Sequence, residues 1–298
     1  MVHFNNDPQI SFDNKERKNS SITDDSPYNS VNRLEMQHYI FKYIWQNNFS
    51  TPIAKQLQVG GMKVLEVGST PEIWTFDMAT NYPLSTFIGL NNATTCNKSN
   101  NNEPLNATVL RTDSSSSTIP FPDETFDFIY QRFFLPPSSG LNSNFIEQYD
   151  LVKHMIRVLN PDGWIEFMIM DNLLWYNTGL YTFRLTQAYY SLTNYGCDGC
   201  DTYNRIDEKH IYNMLISTQQ IQSVIIKTKR ILLGANGGRI GELLCDVLLR
   251  PIKANKSALC KYMGVSTKEF DKMYNIMLEE INDYGTFCIS HRIYAKKL

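Results

Sequence analysis

Short apolar runs alternate with amphipathic stretches through much of this chain. Helices are predicted between these runs at about 71–80 and 144–159, and strands are predicted at 62–67, 85–90, 107–111, 125–130 and 164–169. Strands that alternate with helices usually form βαβ units with right-handed crossovers. The pattern therefore predicts an α/β protein with a mostly parallel sheet and helices on both faces.

The segment ahead of the first predicted strand has helical periodicity. Met36, Ile40 and Ile44 recur every four residues, and a second apolar stripe accompanies them. This spacing predicts a largely buried helix over 31–48. Residues 1–30 are rich in Asn, Asp, Ser and Lys and poor in apolar side chains, which predicts a disordered tail.

The last third of the chain combines helices with two further strands. Strands are predicted at 224–233 and 286–295, and helices at 181–195, 207–217, within 234–262 and after Ser266. The Ser266 to Glu269 spacing is that of a capping box, which marks a helix start. The glycine-rich segment 234–241 lacks the Gly-Lys-Ser/Thr ending of a phosphate-binding loop, so a flexible lid or a crossing loop is the preferred interpretation.

Composition narrows the class of protein. The 298 residues are 42% hydrophobic and 19% charged, with a net charge of −2. These values favour one large α/β domain, predicted at 31–298 with helical additions at 31–60 and 234–284. A near-neutral charge gives no general attraction to nucleic acid or to an anionic membrane, and neither partner is expected.

The N-terminus and the cysteines bear on location. The first residues have neither a basic nor an apolar region, which argues against a signal peptide, and no apolar run reaches the ~18 residues of a membrane span. The six cysteines are scattered, which favours reduced thiols in the cytoplasm or the nucleus. Cys197 and Cys200 have zinc-knuckle spacing but no second ligand pair nearby, so no metal site is predicted.

Segment 63–74 is the strongest candidate for chemistry. It reads as a buried strand, a turn that opens at Gly68, and a helix that begins near Pro71. A strand–turn–helix unit early in an α/β chain is where many folds bind a nucleotide-like ligand. Only one glycine of the usual glycine-rich turn is present, because Thr70 and Glu72 occupy the other two positions.

The order of motifs resembles a known family. The motifs are Asn32-Arg33-Leu34, Gln37-His38, Gly60-Gly61, Val64-Leu65-Glu66-Val67-Gly68 with Pro71 and Trp74, 120–127 with Gln131-Arg132-Phe133, 159–166, 237–242 and 291–294. In this order the chain resembles class I S-adenosylmethionine-dependent methyltransferases, especially a fungal group of secondary-metabolism enzymes and their regulatory relatives. The resemblance implies a Rossmann-like sheet of seven strands in the order 3-2-1-4-5-7-6, with the last strand antiparallel.

The resemblance also implies where the cofactor, S-adenosylmethionine, would bind. The site would lie at the carboxyl ends of the first, second and fourth strands, and its expected residues are Glu66, Gly68, Ser69, Thr70, Asn91, Asp113 and Gln131. Glu66 would meet the ligand's amino group, or would bind a lysine or a nearby backbone N–H. Arg132 would contact substrate or form a surface ion pair. No catalytic base is assigned.

Three positions depart from the family pattern and keep a second hypothesis open, since Thr70 and Glu72 replace glycines and Asn91 replaces an acid. Glu72 brings a negative charge close to the ligand, and Asn91 stands where the family has an acid that binds both ribose hydroxyls. An amide in that place weakens binding by ~1–3 kcal/mol. The alternatives to a methyltransferase are an inactive relative that acts as a regulator or scaffold with a protein partner, and a protein that binds another nucleotide-like ligand.

The methyl acceptor is not identified by the sequence. A substrate pocket is expected between the first helix, 171–195 and 234–262, with Tyr176, Tyr181 and Tyr189 in its lining. The acceptor would be a small molecule or a protein. The sequence gives no oligomeric state.

Overall fold

The computed structural model describes residues 27–68, 72–91, 103–111, 118–132, 145–170, 175–193 and 207–298, without side-chain detail at 27–32, 145–147 and 193. Most of the predicted tail lies outside these residues. Three of the predicted cofactor contacts, Ser69, Thr70 and Asp113, also lie outside the described residues. The closely spaced cysteines Cys197 and Cys200 lie outside them as well.

The described residues form one seven-stranded sheet. Its strands are β1 (Lys63–Gly68), β2 (Thr86–Asn91), β3 (Ala107–Arg111), β4 (Phe126–Arg132), β5 (Leu159–Met170), β6 (Ile221–Leu232) and β7 (Phe287–Lys297). Their order across the sheet is β3-β2-β1-β4-β5-β7-β6. The first five strands pair in parallel, and β7 is antiparallel to both of its neighbours. The predicted fold class, Rossmann-like with an antiparallel last strand, is confirmed.

Nine helices are present in the same part of the chain. They are α1 (Pro27–Trp45), α2 (Ala54–Val59), α3 (Glu72–Asn81), α4 (Phe145–Val158), α5 (Leu180–Thr193), α6 (Glu208–Ser217), α7 (Gly238–Ala254), α8 (Lys256–Met263) and α9 (Thr267–Asp283). The helix start predicted at Ser266 is confirmed, because its hydroxyl accepts the backbone N–H of Glu269 at 3.1 Å. None of these helices is both long and apolar enough to cross a membrane.

The sheet separates two apolar cores. Phe128 packs with Phe41 of α1 and Trp74 of α3 on one face, together with residues of α5, α7, α8 and α9. Ile129, the next residue of β4, packs with Ile156 of α4 on the other face, where α6 also lies. Successive side chains of a strand point to opposite faces, so one apolar strand supplies both cores.

Two boundaries differ from the sequence predictions. Helix α1 begins at Pro27, within the segment predicted as a tail. Strand β5, predicted at 164–169, begins earlier at Leu159, which pairs with Phe126, while Trp164 pairs with Phe128. The strand register shifts between these two pairs, as at a β-bulge, and Asp162 in this stretch has a φ of 62°. Residues 160–163 therefore lie inside β5 rather than ahead of it.

A buried carboxylate fixes the chain after α1 to the sheet. Glu166 of β5 is fully buried and accepts the backbone N–H groups of Ser50 and Thr51, each at 2.8 Å. Arg292 of β7, itself 1% exposed, lies with its Nε 3.6 Å from Glu166 Oε1. Since α1 precedes this anchored segment directly, the contacts help to hold α1 over the sheet.

The glycine-rich segment does not form a flexible lid. It forms a 3-10 turn, Gly234–Gly237, and then the start of α7. A Cβ atom at Gly241 would lie 2.6 Å from the carbonyl oxygen of Leu232. The glycines here allow close packing of α7 against the end of β6, so the lid interpretation was wrong.

Candidate functional site

The predicted site residues meet at one edge of the sheet. Gly68 and Asn91 end β1 and β2 and are paired in register, and Val67 is paired with Gln131 near the end of β4. Ligands of open α/β sheets bind outside the carboxyl ends of the strands, where the strand order reverses. The fold therefore brings the described members of the predicted set to the expected edge.

Gly68 faces open space at this edge. Among the described residues, excluding its neighbours in the chain, no atom lies within 4 Å of the position that a Cβ would occupy. A ligand could approach the backbone closely here, which a glycine permits.

Glu66 is buried in β1, two residues before the strand ends at Gly68. Its side chain is 3% exposed, and Oε2 accepts the backbone N–H of Thr75 at 3.0 Å and the Thr75 hydroxyl at 2.7 Å. Burial raises the pKa of Glu66 to about 8, although Arg132 and the bonds from Thr75 act in the opposite direction. The backbone N–H expected as one alternative partner is thus supplied by α3.

Asn91 and Glu72 form a pair. Asn91 is 2% exposed, and its Nδ2 donates to Oε1 of Glu72 at 3.3 Å. Glu72 is half-buried in the first turn of α3. A carboxylate is therefore present beside the end of β2, although it belongs to a different element from the amide. The sequence had suggested that Asn91 was a loss and Glu72 an obstacle, and it had not suggested their contact.

Gln131 keeps an unused acceptor. The side chain is 2% exposed, and its Oε1 has no hydrogen-bond partner among the described residues. An unpaired buried acceptor is costly, so such an atom in a native fold calls for an explanation.

Arg132 ends β4 and is held by a buried histidine. Its Nη1 donates to Nδ1 of His38 at 2.8 Å, and Nε2 of His38 lies 3.0 Å from Oδ2 of Asp77. Arginine only donates, so His38 accepts at Nδ1 and carries its proton at Nε2, which donates to Asp77. His38 is 2% exposed. The sequence left Arg132 as either a substrate contact or a surface ion pair, and it missed this chain of contacts.

Asp77 is the anchor of that chain. It also accepts from Lys42 at 2.9 Å and from Nδ2 of Asn48 at 2.8 Å. Burial by itself would raise the pKa of Asp77, but the bonds from His38, Lys42 and Asn48 outweigh burial and lower it below its usual range. Burial lowers the pKa of His38, against the bond to Asp77, which raises it. His38 is therefore neutral, and it lies between the ionised Asp77 and the guanidinium of Arg132.

The chain was compared with known families and structures. Residues 65–167 match a family described as Methyltransferase domain. The match covers roughly a third of the chain and includes six of the site residues, namely Glu66, Gly68, Glu72, Asn91, Gln131 and Arg132. His38 precedes the methyltransferase-domain match, whereas Asp77 lies inside it. No curated protein matches the sequence.

Several solved structures are similar to the chain. Phosphoethanolamine N-methyltransferase 2 of Haemonchus contortus is 15% identical with a TM-score of 0.45, and the match covers 88% of this chain and 57% of that one. The YcgJ protein of Bacillus subtilis is 14% identical with a TM-score of 0.44, covering 82% and 97%. An S-adenosylmethionine-dependent methyltransferase of Methanosarcina mazei is 13% identical with a TM-score of 0.44, covering 84% and 99%.

The tyrosines predicted for a substrate pocket have packing roles. Tyr176 stacks on Phe287 with ring centroids 5.0 Å apart and an interplanar angle of 12°. Tyr181 and Tyr189 pack partly buried against the larger apolar core. Two cavities of about 450 and 430 Å³ lie away from the strand ends of β1 and β2, one along α4 and one beside the end of β6. Neither is lined by these tyrosines, so the acceptor pocket stays a prediction.

Groups of three or more metal-ligating side chains are absent from the described residues.

Proposed function

We propose that this protein is an S-adenosylmethionine-dependent methyltransferase whose cofactor lies against the carboxyl ends of β1, β2 and β4. The observation that carries the proposal is the Glu72–Asn91 pair beside the open backbone at Gly68. The match of residues 65–167 to a methyltransferase domain supports it.

Glu72 would take the place of the missing acid at the end of β2. A carboxylate accepts two hydroxyl donors at once, and charge-assisted bonds of this kind are roughly twice as strong as neutral ones. Asn91 donates to one Glu72 oxygen and so orients the carboxylate toward the strand ends. The departures at Glu72 and Asn91 then compensate each other, because the acid has moved from β2 to α3 while staying at the same edge.

The site residues fit the remaining parts of the cofactor. Gly68 leaves room for close approach of the ligand to the backbone, and the buried acceptor of Gln131 suits a donor at the strand ends. Bound S-adenosylmethionine supplies a methyl group on a positively charged sulfur. The protein's contribution would come mainly from holding that methyl group in line with the acceptor nucleophile. Contacts from Ser69, Thr70 and Asp113 stay predictions.

The finer assignments also stay predictions. They are the likeness to the fungal secondary-metabolism and regulatory group, a cytoplasmic or nuclear location, and a small-molecule or protein acceptor without nucleic-acid or membrane partners. The inactive regulator with a protein partner is the alternative.

Titration calorimetry with S-adenosylmethionine and S-adenosylhomocysteine tests the proposal. We expect one-to-one binding in the micromolar range to the full chain. Circular dichroism of the same sample shows whether the protein is folded. Absence of heat at millimolar ligand in a folded sample would overturn the proposal and leave the regulator or scaffold as the function to pursue.

A further inference from the structure

We propose that Arg132 is the carboxylate-binding group of this site and that His38 and Asp77 position it. The inference rests on the proposed function, because the carboxylate it names is that of the amino-acid moiety of the cofactor. It adds a role for α1, which lies outside the methyltransferase-domain match.

The location of Arg132 supports a ligand-binding role. Arg132 is one residue beyond the last paired residues of β1 and β4, Val67 and Gln131, and so lies at the level of Gly68. It is close enough to Glu66 to act on that carboxyl electrostatically. A guanidinium at the level of Gly68, where the backbone is open, is complementary to the carboxylate of an amino acid.

A chain of hydrogen bonds through three elements orients the guanidinium, and we call its members Arg132, His38 and Asp77 the relay. Arg132 of β4 donates to His38 of α1, and His38 donates to Asp77 of α3. His38 is 2% exposed, so its ring is fixed by packing as well as by both hydrogen bonds. Side chains held in this way lose little conformational entropy when a ligand binds, which is how a positioning residue contributes to affinity.

The relay requires a neutral imidazole. Three charged groups face His38, namely Arg132 from β4, Asp77 from α3 and Lys42 from α1. Protonation at Nδ1 would turn the acceptor for Arg132 into a donor and place two positive groups in contact. The guanidinium would then be displaced, so binding of a carboxylate through Arg132 should weaken as the pH falls.

The test compares two ligands that differ in the amino-acid moiety, whose carboxylate Arg132 would bind. S-adenosylhomocysteine carries the amino-acid moiety, whereas 5′-methylthioadenosine has the same nucleoside and sulfur without it. In Arg132→Gln we expect calorimetry to give affinity for S-adenosylhomocysteine lower by about 10- to 100-fold, the effect of a lost charge-assisted bond. Affinity for 5′-methylthioadenosine should change less than about twofold, which also shows that the variant is folded.

Three variants test the positioning role. His38→Leu should resemble Arg132→Gln, whereas His38→Gln should retain most of the affinity, because an amide can accept from Arg132 and donate to Asp77. The comparison variant is Lys42→Gln, which removes the ion pair with Asp77 but leaves both hydrogen bonds of His38, and it should lower the affinity for S-adenosylhomocysteine much less than His38→Leu does. Affinity of the wild type for S-adenosylhomocysteine should fall only below the usual histidine pKa of about 6.5, because burial lowers the pKa of His38, and in His38→Gln this fall should disappear.

Other results would overturn the inference. Equal losses for both ligands in Arg132→Gln would mean that Arg132 supports the fold or the nucleoside contacts. Unchanged affinity for S-adenosylhomocysteine would mean that the amino-acid moiety binds elsewhere. A folded wild type that binds neither ligand would refute the proposed function itself, and a wild type that binds both in equal measure would refute this inference alone.

Discussion

Moving a single negative charge tests whether the carboxylate of Glu72 takes the place of the acid that Asn91 replaces at the end of β2. The distance of 3.3 Å between Asn91 Nδ2 and Glu72 Oε1 places the carboxylate directly at the end of β2. If this carboxylate accepts the ribose hydroxyls, Glu72→Gln removes a charge-assisted contact worth ~1.5–3 kcal/mol. The affinity for S-adenosylhomocysteine should then fall by roughly 10- to 150-fold in calorimetry.

The exchanged pair is the matched control. Asn91→Asp alone places two carboxylates in contact, so their repulsion opposes any gain and affinity should not improve. The double variant, Glu72→Gln with Asn91→Asp, restores one acid and one amide in swapped positions and should bind within a few-fold of the wild type. Wild-type affinity in Glu72→Gln, together with tighter binding in Asn91→Asp, would show that Asn91 alone meets the ligand and would refute the compensation.

Three further predictions concern stability, each measured by urea unfolding. The folded pKa of Glu66, about 8, is above its unfolded value of 4.5, so the folded state holds a proton that the unfolded state releases, and stability falls as the pH rises between these values. Between pH 5 and pH 8 the free energy of unfolding of the wild type should fall by a value on the order of 3 kcal/mol, and in Glu66→Gln this fall should disappear. An unchanged pH dependence in the variant would contradict this prediction. Glu166→Gln should cost about 3–5 kcal/mol because Arg292 would keep a buried, uncompensated charge, whereas Asp123→Asn in the exposed pair with Arg157 should cost under ~1 kcal/mol. Ser266→Ala should cost about 1 kcal/mol by removing the cap of α9, and no loss would mean that water replaces the hydroxyl.

Patterns confined to one element were predictable. The apolar runs of the sheet, the periodicity of α4 and the cap at Ser266 each depend on residues a few positions apart. The order of these elements, taken with the family resemblance, was sufficient for the strand order of the sheet, which the structure confirms. The edge that gathers Glu66, Gly68 and Asn91 followed from the same reasoning, since parallel strands end together.

The local sequence suggested the wrong meaning for several polar residues. Compared one at a time with the family pattern, Glu72 and Asn91 each look unfavourable for cofactor binding. The glycines of 234–241 suggested flexibility, whereas they serve close packing against Leu232. A residue type indicates what a side chain can do, and its neighbours in space determine which of those properties is used.

The sequence by itself determined most of the strands and helices, because hydrophobic periodicity acts over a few residues, and the family resemblance supplied the edge at which a ligand would bind. Only the tertiary structure decided which polar groups meet there. Glu72 and Asn91 are 19 positions apart, and His38 and Arg132 are 94 positions apart. Contacts of this kind depend on strand register and on how α1 and α3 pack over the sheet, which no local pattern specifies.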